Sequence, residues 1–216
     1  MTSDDVWIWG RHPVLEALRA DRVREIRVAR GNAPSEILRD IAGEAHKRGV
    51  RIQEVDLKEL EALAPGGRTQ GGSARVMVPR LLDIPDLLKL TSSRPEPPFL
   101  LALDQIQDPH NLGALLRTAE AAGVQAVVVP ERRSAPLSGT VARVSAGASV
   151  HVPVLAVKNF ARALDEIREA NIWVAGLDSS AERSIYETDF AIPLLLVVGG
   201  ESSGLRHLTR EHCDLL

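Results

Sequence analysis

Two stretches of the sequence carry polar residues that could bind or activate a substrate. The first follows the apolar run 99–103 and contains Asn111 and Arg117, and the second follows the apolar run 194–198 and contains Glu201. Each stretch has the pattern of a buried strand, a polar loop and the start of a helix. Ligands of open α/β sheets collect in loops of this kind, so these two loops are the first candidates for a functional site.

Arg117 is the candidate cation of the first stretch. Asn111 is expected to be the N-cap of a helix that begins at Leu112. Side chains on a helix lean toward its N-terminus, so Arg117 is predicted to lean over Gly113 toward the loop that contains Asn111. On the helix alone, a surface arginine that pairs with Glu120 or with water is the better interpretation; the rest of the stretch favours a functional one.

The second stretch is a glycine-rich loop, from Gly199 to Gly204, between a strand and a helix. Such a loop alone is weak evidence, because it fits a phosphate cradle or a plain tight turn. It has neither the lysine of a Walker loop nor the full dinucleotide fingerprint. Glu201 would repel phosphate and would suit a cationic ligand, of which the sulfonium of S-adenosylmethionine (AdoMet) is one.

Other acidic residues, histidines and the cysteine do not form a clear metal site. Asp104 and Asp108 flank the first loop and could indicate a metal site or acid–base chemistry, but the favoured interpretation is that they cap the following turn and helix. His12 and His110 have no partner at metal-ligand spacing, and Cys213 has only the adjacent histidine. No metal site is predicted.

Arginines supply candidate contacts to phosphate. Arg132, Arg133 and Arg143 have only Glu131 to offset them, and they are predicted to form a phosphate-binding strip. The small residues within 144–149 favour close packing and a C-cap glycine.

Composition limits the class of protein. The 216 residues are 44% hydrophobic and 25% charged, as in an ordinary soluble globular protein. Aromatic residues make up only 3%, which argues against RNA binding on a platform of stacked bases. The net charge of −3 argues against a generic polyanion binder, although a local basic patch is compatible with it. A single cysteine, no apolar run of membrane-spanning length and no signal segment predict a cytoplasmic protein with no membrane partner.

The elements that must position these residues fall into two α/β series, 1–90 and 99–216, separated by a proline- and serine-rich linker at 91–98. The first series is predicted to be a small α/β domain. Its helices are expected at 13–20 and 35–47, with a further short helix capped by Asp56, and its strands at 25–29, 51–55 and 74–78. The second series alternates apolar runs with helices, which predicts a parallel sheet with helices on its faces. Its strands are expected at 99–103, 126–129, 150–155, 172–177 and 194–198, and its helices at 112–122, 137–146, 160–170 and 205–213.

The stretches at 104–119 and 194–206 resemble the first two signature motifs of the SpoU (TrmH-type) family of SPOUT methyltransferases. The opening 10–18 is similar to that of members with an N-terminal RNA-binding domain, and 70–74 and 208–214 are similar to the same subgroup. Members of that subgroup methylate guanosine ribose in large-subunit ribosomal RNA. The resemblance covers nearly the whole chain.

The resemblance implies a fold, a cofactor and a set of site residues. Family members fold the second domain as a deep trefoil knot, form homodimers through it and bind AdoMet inside it. The implied catalytic residues are Arg117, Asn111 and Glu201. The implied cofactor-binding positions are Gly176, Leu177, Val198, Gly199 and Gly200. Expected RNA contacts are Ser145, near the family's site, and arginines of both domains, namely Arg68, Arg75, Arg132, Arg133 and Arg143.

The function that this resemblance implies is AdoMet-dependent 2′-O-methylation of a ribose, that of guanosine, during the processing of ribosomal RNA. The alternatives are a methyltransferase that acts on transfer RNA, a catalytically silent RNA-binding relative, and a nucleotide-binding enzyme of another kind. The third motif of the family would begin just after Asp214, and the sequence ends at Leu216. We therefore expect the gene product to be longer and the methyltransferase domain in 99–216 to be incomplete at its C-terminus.

Overall fold

The computed structural model describes residues 5–31, 35–64, 68–77, 80–81 and 83–216. Backbone contacts divide the chain into two units. Unit 1 contains Met1–Pro79, Pro109–Arg117 and Pro136–His151, and unit 2 contains Arg80–Asp108, Thr118–Ala135 and Val152–Leu216.

Unit 1 is a mixed sheet with helices. Its elements are β1 (Asp5–Trp9), α1 (Arg11–Arg19), β2 (Val23–Ala29), α2 (Glu36–Lys47), β3 (Arg51–Val55), α3 (Leu57–Ala62), β4 (Gly72–Met77) and α6 (Gly139–Val144). The strand order is β1-β4-β2-β3, in which β4 is antiparallel to both neighbours and β3 is parallel to β2. The helices and strands predicted between residues 13 and 78 are therefore present, with β1 as an additional strand. Residues 80–90 of the predicted first domain belong to unit 2, whereas α6, which was predicted for the second domain, belongs to unit 1.

The core of unit 1 is formed where α1 and α2 pack on the sheet. Ile8 and Ile26 from the strands, Leu18 from α1 and Ile41 from α2 are almost completely buried in one cluster. Each such side chain contributes about 1.5–3 kcal/mol through burial of its apolar surface. The start of α2 is fixed by Ser35, whose hydroxyl accepts a hydrogen bond from the third residue of the helix.

Unit 2 is built on a six-stranded sheet. Its elements are β5 (Arg80–Leu81), α4 (Ile84–Ser92), β6 (Phe99–Asp104), β7 (Ala126–Pro130), β8 (Val154–Val157), α7 (Phe160–Glu169), β9 (Trp173–Gly176), β10 (Leu194–Gly199) and α8 (His207–Glu211). The strand order is β5-β8-β7-β6-β10-β9, and every neighbouring pair is parallel. The predicted parallel sheet is confirmed.

The apolar runs become strands because the sheet is buried. In β6 five of the six residues are buried, and Leu100 belongs to the same core cluster as Leu195 of β10 and Leu164 of α7. Continuous apolar runs of this kind are typical of parallel strands that are covered on their faces.

Two stretches differ from the prediction. The residues assigned to the start of the linker, Thr91 and Ser92, end α4 instead, and Thr91 is buried. This helix begins behind Asp83, whose carboxylate accepts the amide of Asp86. The strand predicted at 150–155 is shorter, because a 3-10 helix occupies Ala148–Val150 and β8 begins only at Val154.

Candidate functional site

The carboxyl ends of β6, β10 and β9 lie side by side, because these three parallel strands are neighbours in the sheet. The chain adds β7 and β8 on one side of β6, and β10 and β9 on the other. The strand order therefore reverses between β6 and β10, and ligands of open α/β sheets bind outside the carboxyl ends at such a point. The register pairs Gly199, the last residue of β10, with Asp104, the last residue of β6.

The loop after β10 closes on itself through its glycines. The amide of Gly204 donates to the carbonyl of Gly200 at 2.8 Å, and Gly204 has a φ of 60°. A Cβ on Gly199 would lie 2.2 Å from the carbonyl carbon of Gly204, so no larger residue fits there without a shift of the backbone. Glu201 is exposed in this turn, and Val198 before it is half-buried. The turn therefore presents the Glu201 carboxylate at the carboxyl end of β10.

Asp104 is fully buried and holds the segment that follows this loop. Its Oδ1 accepts from Nε of Arg206 at 2.7 Å and lies 2.6 Å from Nη2 of the same residue. Its Oδ2 accepts from the backbone amide of Arg206 at 3.1 Å and from the hydroxyl of Thr209 at 2.7 Å. The prediction that Asp104 caps the turn after it is wrong, because both oxygens bind residues that are distant in sequence.

A second carboxylate fixes the loop after β9. Asp178 accepts from the backbone amide and the hydroxyl of Ser180, at 2.8 and 2.6 Å, and lies 2.7 Å from Nη2 of Arg210. The hydrogen bonds from Ser180 and the charge of Arg210 lower the pKa of Asp178 below its usual value. This carboxylate is therefore ionised at neutral pH.

A cavity of about 630 Å³ opens at this loop. It is lined by Gly176 and Leu177, the last residue of β9 and the one after it, by the loop that follows, and by Leu215 and Leu216. Its charged lining residues are three acids and one base, namely Asp178, Glu182, Glu187 and Arg183. Small-molecule sites have volumes of roughly 300–1,000 Å³. Because Asp178 is already paired with Arg210, Glu182 and Glu187 against Arg183 leave a small excess of negative charge, which favours a cationic ligand.

Helix α5 (Pro109–Ala121) carries the candidate residues of the first stretch. It begins three residues earlier than predicted, so Asn111 is half-buried in its first turn and is not the N-cap. Arg117 is exposed on this helix, at the last position that belongs to unit 1.

Gly113 has a packing role that the sequence did not reveal. A Cβ at this position would lie 2.7 Å from Cβ of Val144 and 3.1 Å from the carbonyl oxygen of Val141. The missing side chain therefore allows α5 to approach α6 closely. That Arg117 leans over Gly113 stays a prediction beside this contact.

The predicted RNA contacts differ in accessibility. Four arginines are exposed, namely Arg68, Arg132, Arg133 and Arg143. Arg75 is half-buried, and its guanidinium lies 3.7 Å from the carboxylates of both Asp5 and Glu25. Its charge is therefore already balanced within the sheet of unit 1.

Ser145 is buried and its hydroxyl is used inside the protein. The hydroxyl donates to the carbonyl of Ala142 at 3.1 Å and accepts from the amide of Ser149 at 3.3 Å. These bonds hold the turn between α6 and the following 3-10 helix. The structure therefore favours close packing of this stretch over a direct contact of Ser145 with RNA.

Neither a metal cluster nor a reactive thiol is present among the residues with described positions. Within those residues, no group of three or more His, Cys, Asp or Glu side chains could hold a metal ion. Burial, together with the charges of Asp214 and Asp104, raises the pKa of Cys213 to about 11. The group is a neutral thiol at pH 7, which is a poor nucleophile. In the same part of the chain, no helix has the length and apolar character needed to cross a membrane.

Known proteins share both the sequence and the architecture of this chain. Residues 98–216 match the SpoU rRNA Methylase family, and residues 7–77 match a domain described as RNA 2'-O ribose methyltransferase substrate binding. The chain is 41% identical over 218 residues to the 23S rRNA (guanosine-2'-O-)-methyltransferase RlmB of Xylella fastidiosa, with 100% of this chain and 87% of the relative covered. It is 38% identical over 217 residues to the putative TrmH family tRNA/rRNA methyltransferase YacO of Bacillus subtilis, with 100% and 86% covered.

Solved structures show the same fold. The SpoU methyltransferase AviRb of Streptomyces viridochromogenes, in complex with AdoMet, superimposes with a TM-score of 0.79 at 23% identity, covering 98% of this chain and 79% of that one. An RNA 2'-O ribose methyltransferase superimposes with a TM-score of 0.77 at 26% identity, covering 99% and 78%. The matched domains and the identity over the full length of the chain show that it belongs to the SpoU rRNA methylase family.

Proposed function

We propose that this protein transfers a methyl group from AdoMet to the 2′-hydroxyl of a guanosine ribose in 23S ribosomal RNA. The observation that carries the proposal is the acid-lined cavity at the carboxyl end of β9. The neighbouring strand, β10, is followed by the glycine turn that contains Glu201. Membership of the SpoU family and the 41% identity to a 23S rRNA (guanosine-2'-O-)-methyltransferase supply the reaction and the substrate.

The residues of unit 2 suit AdoMet as the methyl donor. The cavity of about 630 Å³ has room for a nucleoside-sized ligand, and its carboxylates complement a sulfonium cation. The positions that would hold the cofactor are Gly176 and Leu177, which line the cavity, and Val198, Gly199 and Gly200, which lie outside its lining at the end of the neighbouring strand β10. When bound, AdoMet supplies an electrophilic methyl group, and Glu201 would stabilise the positive charge beside it.

Arg117 is the residue proposed to act on the ribose. A guanidinium has a pKa above about 12, so it does not accept a proton at neutral pH. It can instead stabilise the negative charge that develops on the 2′-oxygen and grip the neighbouring phosphate, while the proton leaves to solvent or to phosphate. Asn111 would orient Arg117 or the ribose. Alignment of the hydroxyl with the methyl group would supply much of the acceleration.

Unit 1 is proposed to select the RNA. Its match to the substrate-binding domain supports this role, and exposed Arg68 supplies a candidate phosphate contact. Arg132, Arg133 and Arg143 are proposed as further phosphate contacts. By the same family resemblance we propose a knotted, homodimeric methyltransferase domain and a cytoplasmic location.

The proposal is tested by mapping the modification. The purified full-length protein is incubated with AdoMet and either 23S rRNA or bulk transfer RNA, and 2′-O-methylation is located by resistance of the adjacent phosphodiester to alkaline hydrolysis. The proposal predicts one protected guanosine in 23S rRNA. Protection only in transfer RNA would mean that the substrate is transfer RNA and not 23S rRNA. RNA binding without any methylation would mean that the protein is a catalytically silent relative.

A further inference from the structure

The segment 206–216 contacts several distant parts of unit 2 although its helix, α8, has only five residues. Arg206 and Thr209 bind Asp104 at the end of β6, and Arg210 binds Asp178 after β9. Further along, the carboxylate of Asp214 accepts the amide of Val174 in β9 at 2.8 Å. One short segment is therefore tied to the ends of two different strands.

The contact of Asp104 with Arg206 and Thr209 is strong because the carboxylate is buried and both of its oxygens are paired. Asp104 is 0% exposed, and each of its oxygens receives two donor groups. A buried carboxylate with this many partners has one preferred geometry, because loss of any donor leaves a lone pair of a buried oxygen without a hydrogen bond. Since Arg206 lies two residues after Gly204, the last residue of the glycine turn, Asp104 restrains the end of that turn.

The second contact, the ion pair between Arg210 and Asp178, holds the loop after β9. The Asp178 side chain is only 3% exposed, and Arg210 reaches it from the last turn of α8. Ser180 binds the same oxygen, Oδ1, through its amide and its hydroxyl, while Arg210 binds Oδ2. The guanidinium thus connects α8 to the first residues of the loop that lines the cavity.

Apolar contacts bring the same two regions together. A Cβ on Gly176 would lie 2.7 Å from Cδ1 of Leu205 and 2.9 Å from Sγ of Cys213. The end of β9 therefore lies directly against the residues on either side of α8. Because Gly176 has no side chain, the start of the loop after β9 can lie close to the segment that follows the glycine turn.

We propose that α8 is a two-point clamp that sets the spacing between the loop after β9 and the glycine turn after β10. Asp104, Arg206, Thr209, Asp178 and Arg210 are positioning residues in this scheme. They act on AdoMet through the two loops and do not touch the reacting atoms. The expected effect on AdoMet binding rests on the proposed function. The restraint of the two loops by α8 concerns the ligand-free protein alone.

The test uses full-length protein with Arg210→Met and Arg206→Met, which keep the length and apolar part of each side chain and remove its charge. Arg210→Lys is the rescue variant, because it restores a cation that can reach Asp178. The matched control is Arg162→Met, which removes an arginine from an exposed i,i+4 ion pair with Glu166 on α7. Amide hydrogen exchange is measured without ligand, and the dissociation constant for AdoMet is measured by calorimetry.

For Arg210→Met we expect faster exchange in 177–184 and unchanged exchange in 199–206, and for Arg206→Met faster exchange in 199–206. The dissociation constant for AdoMet should rise about tenfold in each variant, because one residue or so of the loosened loop must be ordered again when AdoMet binds. A tenfold rise corresponds to about 1.4 kcal/mol of binding free energy. Arg210→Lys should recover most of this loss, and Arg162→Met should match the wild type.

Two outcomes would overturn the clamp. One is unchanged exchange in both loops, and the other is faster exchange with an unaltered AdoMet affinity. Failure of the proposed function looks different: the wild-type protein would not bind AdoMet, while the exchange pattern of the variants would still report whether α8 restrains the loops.

Discussion

The carboxylate of Asp104 and the guanidinium of Arg206 form an ion pair between residues 102 positions apart, with Nη2 and Oδ1 separated by 2.6 Å. The pair joins the end of β6, where the first motif begins, to Arg206, the last residue of the second motif and two residues after its glycine turn. The two stretches that identify the family are thus connected by a direct contact at the start of one and the end of the other.

Removal of Asp104 should destabilise unit 2 strongly. Asp104→Ala leaves Arg206 and Thr209 without their acceptor, and deleting one partner of a buried pair costs about 3–5 kcal/mol. The low end, about 3 kcal/mol, is expected because Arg206 is 40% exposed and water can reach it. Urea unfolding provides the measurement. Asp83→Ala, which removes only the cap of α4, should cost about 1 kcal/mol; equal losses in the two variants would contradict the central role of the ion pair.

Two helical glycines should respond to alanine in opposite directions. Gly113→Ala should destabilise the protein, because the new Cβ would lie 2.7 Å from Val144 on α6. Gly43→Ala places its Cβ in open space on α2 and should stabilise by up to about 1 kcal/mol through helix propensity. Thermal unfolding of both variants checks the pair, and a stabilising Gly113→Ala would show that α5 and α6 do not pack as described.

Several parts of this fold could be predicted from local sequence, and the site could be predicted only in part. The apolar run 99–103 indicates a buried strand by itself, so the parallel sheet follows from repeated runs of that type. The roles of Asp104 and Gly113 depend on residues far along the chain, and no local pattern reveals a partner 102 positions away. Helix α4 was not predicted, although Asp83 and Pro85 are typical of a helix start, because its end at Thr91 and Ser92 was assigned to the proline- and serine-rich linker.

Cys213 should react slowly in the folded protein. Its pKa of about 11 lies above the usual 9.0, so the folded state holds about 100-fold less thiolate at pH 8 than an unfolded chain does. Alkylation by iodoacetamide should therefore be much slower for the native protein than in urea. Because the pKa is raised on folding, the associated stability is present below about pH 9 and is lost as the pH rises toward 11. Equal rates in native and unfolded protein would disprove the buried, neutral thiol.

Arg68 and Arg75 should differ in their effect on RNA binding. Arg68→Ala removes an exposed charge and should weaken binding, with a reduction of about 1 in the slope of log affinity against log salt. Arg75→Ala should leave that slope unchanged, because its guanidinium lies beside Asp5 and Glu25. Filter binding at several salt concentrations separates the two, and a larger effect of Arg75→Ala would reverse the assignment.

Methyl transfer by Arg117→Ala is the most direct test of the proposed chemistry. Wild-type protein, Arg117→Ala and Arg132→Ala are compared for incorporation of labelled methyl from AdoMet into 23S rRNA, with AdoMet affinity and thermal unfolding measured on the same samples. Arg117→Ala should fold and bind AdoMet normally, because this side chain is exposed on α5, and should lose methyl transfer by a factor of about 100 or more, as expected when a charge-stabilising group is removed. Arg132→Ala should lose far less. Normal turnover by folded Arg117→Ala would contradict the account.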